Sequence, residues 1–285
     1  MVDVPMIEPG VLFGLAMIGL DEELPPSQAE PTGWAAINYL HRLGSREVLD
    51  LALAACVEPE PLRRRVGACV LGQLGHAKIG FEPVFLEERY QGLSNLLAAE
   101  QAGPSDSAVL ADTCVALGHL HDARAIPMIL KLLAHPVVEV RRGVVTGISC
   151  YVESEAINGL IVLSADSDEE VRDWATFGLG QLIETDTPAI RAALHARLDD
   201  PCAQIRGEAI EGLATRGDRS VLPTLIRELN IGVSQPLLDA AIALATPDLC
   251  EALAAAQKGG LVIQASSGPY DLSSEWAKAT GACGC

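Results

Sequence analysis

Apolar residues recur along this chain in two alternating registers. In the first, Val109, Val140, Val171, Ile205 and Leu237 fall in one column at spacings of 31, 31, 34 and 32 residues, the range of helical-pair solenoids. Seven to nine residues after the first four come Ala116-Leu117-Gly118, Gly147-Ile148-Ser149, Gly178-Leu179-Gly180 and Gly212-Leu213-Ala214. Small residues flank an apolar one there, which lets neighbouring helices approach closely. In the second register, apolar residues stand at i, i+3 and i+4: Ile126, Ile129, Leu130; Ile157, Leu160, Ile161; Ile190, Ala193, Leu194; Leu222, Leu225, Ile226. That is one helical face, repeated. The triplet extends to Val48, Leu51, Ala52, to Leu93, Leu96, Leu97 and to Leu249, Ala252, Leu253. The pattern predicts an all-α chain, an α-solenoid of about seven antiparallel helical pairs over residues 30–258.

Pro127 and Pro223 hold the same early position of their second helices, where a missing N–H is harmless because first-turn donors have no intrahelical partner. A stretch from Gly75 to Glu87 is inserted into the second pair and is expected to project as a loop. Terminal repeats expose an apolar face and must be closed. Residues 1–29, with the apolar run Val11–Leu20, are read as an N-terminal capping segment, and 259–285 as a tail with a short capping helix anchored by Trp276.

Charge narrows the function. The 285 residues carry 38 Asp and Glu against 20 Lys and Arg, a formal net charge of −18, yet 49% are apolar. Such a chain folds, repels a phosphate backbone and suits a cationic partner. The Val11–Leu20 run falls well short of the roughly 20 residues that span a bilayer. No Lys or Arg precedes Arg42, and Asp3 and Glu8 stand where a secretory signal carries positive charge. The expectation is a cytoplasmic protein that binds neither nucleic acid nor membrane. Cys56, Cys69, Cys114, Cys150, Cys202 and Cys250 are scattered singly and read mostly as reduced, buried small hydrophobes. Cys283 and Cys285 form a C-x-C in a Gly-rich stretch, read as a loose tail without enough ligands for a metal.

Asp168-Glu169-Glu170-Val171-Arg172, followed by Ala175 and Leu179-Gly180, resembles the HEAT-like repeat of the phycobilisome-lyase (PBS lyase) type. His135-Pro136 to Val140-Arg141 and Asp200-Pro201 to Ile205-Arg206 follow the same scheme. The recurring Arg141, Arg172 and Arg206, with Arg64 equivalent, read as a structural ladder rather than a phosphate-binding row. The resemblance also implies possible activities, and these find little in the residues. Nothing beyond the repeat consensus points to a tetrapyrrole site. Hydroxylases similar to the deoxyhypusine enzyme carry His-Glu steps, and none of His41, His76, His119, His121, His135 or His195 is followed by Glu. Glycosylases of the helical-repeat type need a basic groove. His119 and His121 read as turn residues. No catalytic residue, metal site or cofactor is expected, and the chain reads as a non-enzyme.

A binding face can be placed. In the repeat consensus the first helix points outward two, three and six residues after its column position. Asp112, Asp173, Glu208 and Glu211 fall there, together with Trp174 and Phe177, where polar residues are the norm. An aromatic pair rimmed by acids resembles an interface hot spot. The other reading packs both rings beneath a neighbouring helix or the tail. The function these features imply is a non-catalytic, acidic protein-binding scaffold for a protein with a basic surface. Its specific form is a bacterial immunity protein that occludes a toxin domain, similar to other helical-repeat immunity factors. The alternatives are a generic adaptor or assembly factor and, further off, a PBS-lyase-like enzyme.

Overall fold

The computed structural model describes residues 7–18, 33–75, 84–261 and 271–285. Among them every regular element is helical. They form two compact units, Met1–Ile148 and Ser149–Cys285.

The first unit contains α1 (Pro9–Ala16), α2 (Gly33–Leu43), α3 (Arg46–Ala55), α4 (Pro61–Gln73), α5 (Leu86–Ala102), α6 (Ser107–Gly118), the short α7 (Ile126–Ile129) and α8 (Val138–Ile148). Helices α2, α4, α6 and α8 stack side by side, while α3 and α5 form a second row. Helix α1 packs on α2 and buries Leu12 and Ala16. The second unit contains α9 (Ser154–Leu163), α10 (Glu169–Phe177), α11 (Pro188–Arg197), α12 (Ala203–Thr215), α13 (Leu222–Leu229), α14 (Gln235–Leu244), α15 (Cys250–Lys258) and α16 (Ser273–Cys283). Here α10, α12, α14 and α16 form the first row.

The sequence register maps onto this arrangement. Val109, Val140, Val171 and Ile205 are fully buried and Leu237 nearly so, each removing from water a side chain that contributes about 1.5–3 kcal/mol. Pro127 and Pro223 lie in the first turns of α7 and α13. The small residues bring first-row helices into backbone contact. A Cβ on Gly118 would lie 2.5 Å from the Gly147 carbonyl oxygen, and one on Gly212 would lie 2.6 Å from Gly180 Cα.

The recurring arginines do one job four times. Arg64 Nη1 donates to the carbonyls of Glu58 and Pro59, Arg141 to those of His135 and Pro136, Arg172 to those of Asp166 and Ser167, and Arg206 to those of Asp200 and Pro201. Each closes the turn that leads into its own helix. The free edge of the guanidinium then reaches a carboxylate further along the chain: Arg64 to Glu100 at 2.7 Å, Arg172 to Asp200 at 3.0 Å and Arg206 to Glu228 at 2.8 Å. A planar fork satisfies both demands at once, which an ammonium cannot. These cations are consumed internally, as a structural ladder requires.

Three expectations need correction. Cys283 and Cys285 do not sit in a loose tail, because α16 packs against α14 and α15 with Trp276, Ala279 and Cys283 buried. Cys250 and Cys285 are not free thiols but form a disulfide, a pairing that their separation of 35 residues concealed. Cys150 is exposed rather than buried. Most of the Gly75–Glu87 insertion, residues 76–83, lies outside the described residues. Its exit is pinned where buried Arg89 donates to the carbonyls of Leu71 and Gly72 at 2.6 and 2.7 Å. No helix among the described residues is long and apolar enough to cross a membrane.

Candidate interaction surface

Helix α10 starts where Asp168 accepts the Val171 N–H at 3.1 Å, with Glu169 and Glu170 in the first turn, favourable at the positive end of the helix dipole. One edge of this helix carries Asp173, Trp174 and Phe177. The two rings meet edge to face, 5.9 Å between centroids and 89° between planes. Trp174 stays 41% exposed and Phe177 half-buried, so among the described residues the indole is not covered by a neighbouring helix.

After Phe177 the helix widens into one π-turn, Gly178–Leu182. The loosened carbonyls are gathered by Arg216 of the turn after α12, which donates to Leu179 at 2.7 Å, Gly180 at 3.1 Å and Gly212 at 2.7 Å. With Gly180 against Gly212, this clamp holds Gln181 over α12. The Gln181 amide donates to Glu211 at 2.7 Å and also to Glu208. A cleft of about 380 Å3 opens here, lined by Gln181, Glu184, Glu211, Thr215 and Arg216.

Glu208 decides the character of this face. Among the described residues the buried carboxylates are Glu100, Asp200, Glu208 and Glu228. Glu100, Asp200 and Glu228 each hold an arginine. Glu208 is held only by the amides of Gln181 and Gln204. Burial, reinforced by Asp173, pushes its carboxyl up to about 7. Burial together with Asp239 and Glu208 raises Glu211 to about 8. Asp173 is also raised, first by burial and then by Glu169 and Glu170, and its Oδ1 is buried without a hydrogen-bond partner. Asp239 of α14 extends the row and accepts from Gln235 at 2.8 Å. By contrast Asp200, despite its burial, is lowered by Arg172 and the Cys202 N–H.

The sequence expectation therefore needs revision in detail. Glu208 was expected to point outward and is 4% exposed, and Asp173 and Glu211 are half-buried rather than a solvated rim. Asp112 is not brought to this site. It lies on α6 in the first unit, paired to Arg65 at 2.8 Å, beside a smaller cleft of about 100 Å3 that includes Trp34, His41 and His119. His119 caps the C-terminus of α6 and His121 has a left-handed backbone, as turn residues do. Gln181, Gln204 and Asp239 belong to the row and carried no sequence signal, because an amide or carboxylate on an outward position is ordinary.

The model for HEAT repeats matches residues 94–180 and 157–245, together more than half of the 285 residues. The chain belongs to the HEAT-repeat family. Protein YibA of Escherichia coli K12 is 28% identical over 195 residues, 68% of each chain. The X-ray structure of Escherichia coli YibA superposes with a TM-score of 0.67 at 22% identity, covering 96% of this chain and 93% of that one, so this HEAT-repeat chain shares its fold. The CpcE–CpcF complex of phycocyanin lyase from Nostoc sp. PCC7120 gives a TM-score of 0.47 at 18% identity, over 90% of this chain and 96% of that one. That likeness is too distant to transfer an activity.

Proposed function

We propose that this HEAT-repeat chain is a non-catalytic scaffold that binds a protein with a basic surface, through Trp174, Phe177, Asp173, Glu208 and Glu211 of its second unit. One observation carries the reading. Glu208 and Glu211 share an amide where the buried Asp200 and Glu228 receive a guanidinium, so among the described residues no cation pairs with these two acids, and a partner's Lys or Arg would supply one. An exposed aromatic edge beside partly desolvated charge is the composition of an interface hot spot. The net charge of −18 adds long-range steering toward such a partner. Within that class the best specific reading is an immunity protein occluding a toxin domain, because toxins acting on anionic substrates have basic clefts.

Affinity capture from the native host with wild type, Trp174→Ala and the double variant Glu208→Gln/Glu211→Gln tests it. A stoichiometric basic partner held by wild type and lost from both variants, with their melting unchanged or raised, is the expected result. Equal retention by all three would overturn the site. A toxin reading frame next to this one, whose product is the captured protein, would support the specific reading.

A further inference from the structure

Three cysteines meet at the last helix of the second unit. Cys250 opens α15. Cys285, just beyond α16, is joined to it by the disulfide. Cys283 remains a thiol, buried on α16, its S–H aimed at the Ala241 carbonyl of α14 at 3.5 Å. Its carbonyl oxygen sits 3.8 Å from Cys250 Sγ.

Among the described residues the other polar side-chain bonds of α16 are local: Lys278 pairs with Glu275, Thr280 donates to the carbonyls of Trp276 and Ala277, and the Ser273 hydroxyl donates to Asp271 just before the helix. An 11-residue helix is marginal alone in water. Its docking thus rests on the burial of Leu272, Trp276, Ala279 and Cys283 and on one covalent tie. Cys285 is exposed and Cys250 half-buried, so an external thiolate reaches the bond from the Cys285 side.

We propose that the Cys250–Cys285 disulfide is a thiol-reducible clasp that sets whether α16 stays docked on α14. A dithiol reductant supplies both electrons. Its thiolate attacks Cys285 Sγ, the Cys250–Cys285 bond breaks, and Cys250 leaves as a thiolate that takes up a proton. The reductant's second thiol then closes on the mixed disulfide, releasing Cys285 as a thiol and leaving the reductant oxidised. Cys283 does not relay the exchange: burial raises its pKa, which keeps it protonated and unreactive. The device therefore has two covalent states. In the open one, the face of α14 around Ala241 is uncovered.

The test uses the full chain, prepared under oxidised glutathione and then treated with dithiothreitol. Intact mass and thiol labelling after unfolding are expected to show the bond before treatment and two additional thiols after it. Amide exchange across 273–283 is expected to quicken about tenfold or more on reduction, while 203–215 in α12 stays unchanged. Cys285→Ser and, separately, Cys250→Ser are expected to show the fast exchange without reductant. Equal exchange in 273–283 for oxidised, reduced and substituted protein would overturn the proposal, and so would finding both cysteines as thiols in the oxidised preparation.

Discussion

Glu208 receives from Gln181 an amide where Asp200 receives from Arg172 a guanidinium. Both carboxylates are buried, yet one is lowered and the other raised. Among the described residues the other buried acids, Glu100, Asp200 and Glu228, are each paired with an arginine, and Glu208 is held by glutamine amides instead.

Trp174→Ala separates surface from core. The ring is 41% exposed and, among the described residues, stacks edge to face on Phe177, so unfolding stability should fall by less than about 1 kcal/mol. Partner affinity should weaken by about 2 kcal/mol or more, roughly thirtyfold. Calorimetric titration beside a melting curve reads both quantities. A stability loss of about 3–5 kcal/mol would mark the ring as core instead.

The raised carboxyls make stability depend on pH with a defined sign. Glu208 and Glu211 keep their protons to about 7 and 8 in the folded chain and release them near 4.3 when unfolded. Between those values the folded state binds more protons, so stability falls as pH rises from about 5 to 8. After allowance for solvent screening the fall is about 1–2 kcal/mol. Below pH 4 the lowered acids, among them Asp200 and Glu228, work in the opposite sense. Denaturant unfolding across this range should show the decline in wild type and its loss in Glu208→Gln/Glu211→Gln. A flat wild-type profile would contradict the assignment.

Binding should run the other way. A cationic partner is held by the ionised forms, so affinity should rise from pH 6 to pH 8 and flatten in the double Gln variant. Titration at matched ionic strength checks this, because salt screens the same interaction.

Arg172→Ala should be costly, since it opens the Asp166–Ser167 turn and leaves buried Asp200 with Arg197 at 3.4 Å as its remaining guanidinium. Breaking a buried pair outright costs about 3–5 kcal/mol, and the second arginine should hold the loss to about 2–3 kcal/mol. Arg172→Lys should recover only part, lacking the fork that serves two carbonyls and a carboxylate together. A loss below about 1 kcal/mol in urea unfolding of the second unit would show the ladder to be ornamental.

Gly212→Ala pits two effects against each other. The helix gains about 1 kcal/mol in propensity, but the new methyl meets Gly180 Cα at 2.6 Å, and overpacking costs about 1–3 kcal/mol. The contact is backbone, which cannot swing aside, so net destabilisation is expected. Gly14→Ala in α1, with nothing within 4 Å of the added carbon, should leave stability unchanged or raise it.

The sequence by itself determined the repeat. Column residues such as Val171 and Ile205, the small residues around Gly180 and Gly212, the first-turn prolines and the Arg172 ladder were all legible, because each is a local or periodic requirement written once per helical pair. It also identified Trp174 and Phe177 as out of place on an outward edge. Only the tertiary structure decided what surrounds them. Whether Glu208 is rim or interior depends on how closely α12 approaches the π-turn after α10, and neither the Arg216 clamp nor Gln181's reach is periodic. Asp112 shares the column of the others, but Arg65 neutralises it in a different unit, a pairing that spacing does not encode. The Cys250–Cys285 bond was hidden for the same reason: two cysteines 35 residues apart become neighbours only when α16 folds back onto α14, and burial and partner, not residue type, then set their chemistry.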